Sequence, residues 1–306
     1  MSKRFECELL GLLLEAVSRR YAEAGAIDDL PTALPWLGLV RRRGPTPIGR
    51  GMLEPSMCLM LQGDKQMLVG ERVLRYGAGC YVQAGMAMPV SGQVMRATEE
   101  EPYYGIRIDL DPKELASFLL EMQIPMPPQD DDPPFVSVET AGEALLESLA
   151  RLLRLLDRPS DLPVLGRLLK QEILYHLVTG PGGPTLTRGL MGSQRASAVN
   201  KAIGWIREHY GAPLRIAELA EAVHLSPSVL HRRFKAATIM SPLQYQKQVR
   251  LLEARKLLMS GGIEAANVAF QVGYESPSQF SREYRRLFGA SPMQDAEHLR
   301  GIAPSP

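Results

Sequence analysis

Arg232 and Arg282 stand fifty residues apart at equivalent places in two copies of one pattern. Their planar, permanently charged guanidinium can grip a phosphate or pair in bidentate fashion with the edge of a guanine. Around them Ser226-Pro227-Ser228 and Ser241-Pro242 recur without gaps as Ser276-Pro277-Ser278 and Ser291-Pro292. Ser228, His231 and Lys235 accompany the first arginine, and Ser278, Ser281, Arg285 and Arg286 accompany the second. Serine bonds to either a base or a phosphate, and the remaining cations suit phosphate. A doubled cluster of this kind faces a partner that is periodic and anionic.

Helices must position these groups. Each serine-proline pair can open a helix, because the serine side chain accepts from an otherwise orphan amide and proline at the first position has no amide to leave unpaired. Leu230 with Phe234, and Phe280, Tyr284 and Phe288, follow at four-residue spacing and mark one buried face in each copy. At about 100 degrees per residue, Arg232 falls opposite that stripe. The pattern predicts helices at 196–210, 216–223, 227–238, 242–260, 263–272, 277–288 and 292–301. Segments 216–238 and 263–288 then have the dimensions of helix-turn-helix units, with Gly273 supplying the second sharp turn. The connector 242–260 would span about 28 Å at about 1.5 Å per residue. That length suits successive major grooves, roughly 34 Å apart.

The chain has 306 residues and a formal net charge of +1, which hides a division. From Arg195 onward 15 Lys and Arg stand against 9 Asp and Glu, while 20 stand against 25 before it. Only the C-terminal half is suited to a polyanion. Three scattered cysteines, Cys7, Cys58 and Cys80, form no paired motif and fit a reducing compartment. No apolar run approaches the length of a bilayer span, and the amphipathic start lacks a cleavage pattern, so the expected location is cytoplasmic and no membrane partner is expected.

Before residue 180 the patterns are mixed. An amphipathic helix is expected at 5–24, then short strands at 37–42, 57–62, 66–69, 72–76, 81–83, 89–96 and 104–110, with Gly70-Glu71 as a hairpin turn. Strands at this spacing suggest a small antiparallel barrel or jelly roll. Helices return at 112–123, 141–156 and 162–178, separated by the acidic, proline-rich loop 125–134. Glycine and proline at 180–184 begin a stretch to 195 that reads as a linker.

The run Ala269-Phe-Gln-Val-Gly-Tyr-Glu-Ser-Pro-Ser-Gln-Phe-Ser-Arg-Glu-Tyr-Arg-Arg-Leu-Phe-Gly-Ala-Ser-Pro292 resembles the signature of the AraC/XylS family of transcriptional regulators. Leu219-Ala220, Phe234-Lys235, Ser241-Pro242, Arg250-Leu251 and Ala254-Arg255 extend the resemblance. It implies base contacts from Ser228, His231, Arg232, Ser278, Gln279 and Arg282; Lys235, Ser281, Arg285 and Arg286 are expected on phosphates from their charge and position. Ile239 departs from the pattern where glycine is common, and a slightly altered turn is expected there. More weakly, Pro55, Leu61-Gln62-Gly63, Lys65 and Gly70 resemble the family's N-terminal regulatory domain, which is built on a cupin-like barrel.

The resemblance thus implies a multi-domain α+β chain. A regulatory domain at 1–179 holds a cupin-like antiparallel barrel with flanking helices, 180–195 forms the linker, and 196–301 an all-α domain with two helix-turn-helix units. Its implied partners are double-stranded DNA, a small-molecule effector, a second copy of the chain and, for an activator, RNA polymerase. Trp36, Cys58, Cys80, Met88, Tyr103 and Tyr104 are the candidates for the effector pocket; the two cysteines equally suit a buried core. Leu165, Leu168, Leu169, Glu172 and His176 run along one helix side that fits a dimer seam or an internal core equally well. A metal-dependent cupin enzyme is disfavoured, since no histidine precedes His176. No nucleophile elbow or phosphate loop is present, so no catalysis and no cofactor are expected. An effector-independent regulator is the remaining alternative.

Overall fold

The computed structural model describes residues 2–124, 135–191 and 194–302, and the chain divides into two compact units, the first formed by residues up to Ser197 apart from Arg50–Met52, which group with the second from Ala198 onward. In the first, α1 (Ser2–Ala24) is followed by β1 (Asp29–Pro31), β2 (Leu37–Arg42), β3 (Gly49–Leu53), β4 (Ser56–Gln62), β5 (Asp64–Val69), β6 (Arg72–Gly77), β7 (Cys80–Ala84), β8 (Met88–Arg96) and β9 (Tyr103–Asp109). Then come α2 (Pro112–Glu121), β10 (Val136–Thr140), α3 (Glu143–Leu155), a π-helical turn at Leu162–Gly166, α4 (Arg167–Thr179) and α5 (Gly183–Met191). The expected loop 125–134 lies outside the described residues.

The strands form two sheets, ordered β1-β2-β9-β4-β7-β10 and β3-β8-β5-β6. The expected barrel is therefore not closed. The first sheet ends at the three-residue β1, where Pro31 has no amide to donate, so the ladder cannot run on around that edge. Between β4 and β5 the chain passes from one sheet to the other at Gly63, whose φ of 91° would strain any side chain. A Cβ there would also lie 2.8 Å from the Arg96 carbonyl oxygen. The expected hairpin at Gly70-Glu71 is present, closing Val69 opposite Arg72.

Alternation gives the first sheet two different faces. Leu37, Leu39, Met57, Leu59, Tyr104, Ile106 and Ile108 turn one way and pack with Leu9, Leu13, Val17 and Tyr21 of α1 and with Leu146, Leu149 and Leu153 of α3. The four-residue step of the α1 set is one helical stripe, and each fully buried leucine contributes about 1.5–3 kcal/mol. Cys58, Tyr103 and Arg107, one residue out of step, turn to the other face.

The segment expected to be a linker differs. Thr179 ends α4, and Gly183 begins α5, which buries Leu186 and Thr187 in the first unit. The glycines there serve close packing. A Cβ on Gly182 would strike the Gln83 side chain, which donates to the Gly182 carbonyl, and one on Gly183 would strike the Val178 carbonyl. Composition marked a break in helical pattern, but the backbone it contains is docked.

The second unit is helical: α6 (Gln194–Glu208), α7 (Ile216–Ala222), α8 (Pro227–Thr238), α9 (Pro242–Ser260), α10 (Ala265–Gln271), α11 (Pro277–Phe288) and α12 (Pro292–Ile302). Ser226 and Ser276 accept from the amides of Val229 and Gln279, and Ser241 closes a capping box with Gln244. Leu219, Leu230 and Phe234 are buried in the first helix pair, where Phe234 meets Tyr245 edge-on at 5.5 Å. Val268, Phe280 and Tyr284 fill the core of the second.

The turn after α8 is not altered as expected. Ile239 adopts the left-handed conformation at φ 62°, ψ 14°, equivalent to Gly289 at φ 85° after α11. The Thr238 hydroxyl holds this turn, donating to the Phe234 carbonyl at 2.8 Å and accepting from the Met240 amide at 3.3 Å. Local hydrogen bonding here outweighs the steric preference of a β-branched residue.

Candidate nucleic-acid interface and effector cavity

The second helix of each pair presents its polar side to solvent. On α8 Ser228, His231, Arg232 and Lys235 are exposed, and on α11 Ser278, Gln279, Arg282, Arg285 and Arg286 are exposed, with Ser281 half-buried. Among the described residues Arg232, Lys235, Arg282, Arg285 and Arg286 form no ion pair. The Ser228 hydroxyl lies 3.3 Å from that of Ser226, and the Gln279 amide donates to Glu283 at 3.4 Å.

Three buried polar clusters hold these helices. Glu283 on α11 pairs with Lys247 of α9 and accepts from the Tyr274 hydroxyl at 2.8 Å. Partial burial opposes its charge, but the hydrogen bonds from Lys247, Tyr274 and Gln279 outweigh it and hold the carboxyl below its usual range. Arg255 of α9 makes a bidentate pair with Asp295 of α12 at 2.8 and 2.9 Å, and the Tyr284 hydroxyl donates to the same carboxylate. Burial, then the bond to Asp295, pushes the Tyr284 phenol far up, so it remains a neutral donor.

Arg250 is the third anchor. It donates to the carbonyls of Tyr210 and Ala212 ahead of α7 and of Gly273 in the turn between α10 and α11. Gly273 must be glycine twice over: its φ is 88°, and a Cβ would overlap the Gly211 carbonyl oxygen. These positioning residues escaped the sequence reading. Arg250 and Arg255 carried only a family resemblance there, and their carbonyl and carboxylate partners lie 23 to 40 residues away.

In the first unit a cavity of about 510 Å³ is lined by Cys58, Lys65, Tyr103, Arg107, Arg42 and Asp29, with apolar groups from β1, β2 and β9. Cys58 and Tyr103 are the only two of the expected pocket residues that line it. Tyr104 points the other way and packs on Tyr21 at 5.7 Å between ring centres. Trp36 packs against the helical side of the sheet beneath the Lys170 ammonium, and Met88 is fully buried. Cys80 is half-buried on β7 and does not line the cavity. Successive residues of a strand face opposite sides, so neighbours in sequence could not all reach one pocket. Burial pushes the Cys58 thiol up, despite the opposing influence of Lys65 and Arg107, which removes the activated-thiolate reading.

On α4 Ile173, Leu174 and Leu177 are core, whereas Leu168, and Leu165 in the π-helical turn before it, are 51% and 42% exposed and Leu169 is partly buried. Leu165, Leu168, Leu169 and Glu172 line a surface groove with Arg151 and Arg154 of α3. His176 is half-buried, 3.8 Å from Glu172.

Comparison with known proteins decides the family. The family model for the AraC-type transcriptional regulator N-terminus matches residues 33–185, half of the chain, and that for a helix-turn-helix domain matches 219–297. The chain belongs to the AraC/XylS family of transcriptional regulators.

Among the relatives of this AraC-family chain are the HTH-type transcriptional activators RhaS of Salmonella schwarzengrund and Salmonella paratyphi B, 27% and 26% identical over 166 residues. Those matches cover 54% of this chain and 59% of each relative. The fold resembles ToxT of Vibrio cholerae strain SCE256 with an unsaturated fatty acid bound, at TM-score 0.55 and 10% identity, covering 87% of this chain and 98% of that one. ToxT of strain O395 gives TM-score 0.53 at 10% identity, with coverages of 87% and 98%. Within this AraC-family chain the cavity residues from Gly38 to Arg107 fall inside the regulatory-domain match. Every expected DNA-contact residue, and all three anchors, fall inside the helix-turn-helix match.

Proposed function

We propose that this protein is a sequence-specific DNA-binding transcriptional regulator that reads an asymmetric site through α8 and α11. The observation that carries the reading is the exposed, unpaired cationic face of each of these helices. Arg232 and Arg282 are assigned as the principal base readers, with Ser228, His231, Ser278 and Gln279 beside them. Lys235, Ser281, Arg285 and Arg286 are assigned to phosphates. The two faces differ, His231 and Lys235 in one against Ser281 and Arg285 in the other, so one chain reads two different words.

Residues 1–179 are assigned to regulation, with the cavity beside Cys58 and Tyr103 as the effector site. Occupancy would shift the population of DNA-binding arrangements. The apolar strip at Leu165 and Leu168 is assigned to a second copy of the chain, and RNA polymerase is a partner if the protein activates. The assigned location is the cytoplasm; among the described residues no helix is long and apolar enough to cross a membrane. Genome-wide mapping of DNA occupancy tests the reading. Discrete, motif-bearing sites that vanish in an Arg232→Ala, Arg282→Ala double variant are expected, and sites unchanged by that variant would overturn it.

A further inference from the structure

The cavity beside Cys58 and Tyr103 leaves one charge unbalanced. Three cationic side chains, Arg42, Lys65 and Arg107, line it, against the single carboxylate of Asp29. Arg42 pairs with Asp29 at 2.9 Å, and Arg107 pairs with Asp109 at 2.7 Å. Lys65 has no such partner: among the described residues it forms no ion pair and donates no hydrogen bond. Its ammonium lies 5.9 Å from the centre of the Tyr103 ring. Burial depresses the Lys65 pKa; Cys58 opposes that shift, and Arg42 and Arg107 add to it. An ammonium so placed is in want of an anion.

A second polar group on the same face is also unsatisfied. Tyr76 stands opposite Lys65 in the β5–β6 ladder, and paired residues of an antiparallel ladder project to one side. Its hydroxyl is buried and has no hydrogen-bond partner. On this face the lining also carries the apolar side chains of Pro31 and Val40, beside the Tyr103 ring. The volume, about 510 Å³, is within the range of small-molecule sites.

We propose that this cavity binds a small monocarboxylic acid with an apolar body, its carboxylate held by Lys65. A single negative charge balances the single surplus positive one, and a carboxylate brings Lys65 an acceptor, since that of Asp29 is taken by Arg42. A neutral ligand would leave the ammonium uncompensated, and a dianion would bury an excess charge. Pro31, Val40 and the Tyr103 ring take the body of the acid. The proposal rests on the assignment of this cavity as the effector site, and it adds the chemical class.

The test uses the full chain, with octanoate and 4-phenylbutyrate compared with their primary amides by thermal unfolding and calorimetry. Both acids are expected to raise Tm saturably, with the amides binding about tenfold more weakly or worse, a difference of about 1.4 kcal/mol. Lys65→Met, which replaces a buried ammonium by an apolar chain of similar length, is expected to erase the preference, and Lys65→Arg to retain it. Equal binding of acid and amide, or an undiminished preference in Lys65→Met, would overturn the anionic ligand while leaving the cavity as a binding site. No response to either class would overturn the effector site itself along with the proposal. Should Lys65→Met not fold, the comparison of acid and amide on the natural chain still decides.

Discussion

Arg250 donates from Nη1 to the Gly273 carbonyl at 2.8 Å, while its Nε reaches the Tyr210 carbonyl at 2.6 Å. One guanidinium on the connecting helix thus ties the turn of the second helix pair to the segment that leads into the first. Replacing it by methionine would leave several buried carbonyls without a donor, a loss of about 1–3 kcal/mol. Arg250→Met is expected to lower Tm and to weaken DNA binding although Arg250 is not on the exposed face of α8 or α11. Chemical melts and gel-shift titrations measure the two effects, and a variant as stable as the natural chain would contradict the anchoring role.

Arg232→Ala and Arg282→Ala are each expected to cost about 1–3 kcal/mol at specific DNA and to relax selection at one base position. Lys235→Ala and Arg285→Ala are expected to weaken all sequences alike and to reduce the salt slope by about 1. Binding selection from a randomised pool, repeated over a salt series, separates the two classes.

Removing the Asp295 carboxylate would strand Arg255 and leave the Tyr284 hydroxyl without its acceptor. Asp295→Ala is expected to destabilise the second unit by about 3–5 kcal/mol, the range for breaking a buried pair from one side. Urea unfolding followed by circular dichroism gives the value.

Glu283 supplies a pH dependence. Its folded pKa is depressed, so its contribution is complete above the unfolded value, about 4.3, and is lost as pH falls through the folded one. Glu283→Gln is expected to flatten the acid limb of the Tm profile below about pH 4.3 while changing its slope little near neutrality. An unchanged acid limb would show that Glu283 is not held this way.

Gly289 and Ile239 share a left-handed turn, which isolates the conformational part of a substitution. A Cβ on Gly289 would meet open space, so Gly289→Ala is expected to cost about 1 kcal/mol from backbone strain alone. Thermal melts read this, and DNA affinity is expected to hold.

The exposed strip at Leu165 and Leu168, where the π-helical turn runs into α4, gives the last prediction. Leu165→Glu with Leu168→Glu places charge on side chains already half in solvent, so the fold is expected to survive while self-association is lost. Sedimentation at several concentrations distinguishes this from a strip that is merely solvated.

Much of the second unit was legible because its determinants are local. Serine-proline starts and four-residue apolar spacing predicted α8, α9 and α11 at their observed bounds. The exposed polar faces of α8 and α11 followed, since a helix fixes which residues share a side within one turn. In the first unit Leu37–Arg42 appeared at its predicted bounds, but β1, β3 and β10 did not announce themselves. Those strands are short or flank charged and proline-rich segments, and they exist through ladder partners far away in the chain, such as Val136 opposite Ala84.

The amino-acid sequence by itself determined the repeated helical unit, its caps and its outward arginines, because each depends on neighbours within a few residues. Tertiary structure decided the rest. It alone placed Lys65 of one sheet beside Cys58 and Tyr103 of the other, docked α5 where glycine and proline suggested a linker, and set Arg250 against Gly273. Each of these depends on contacts between segments distant in sequence, which no local periodicity encodes.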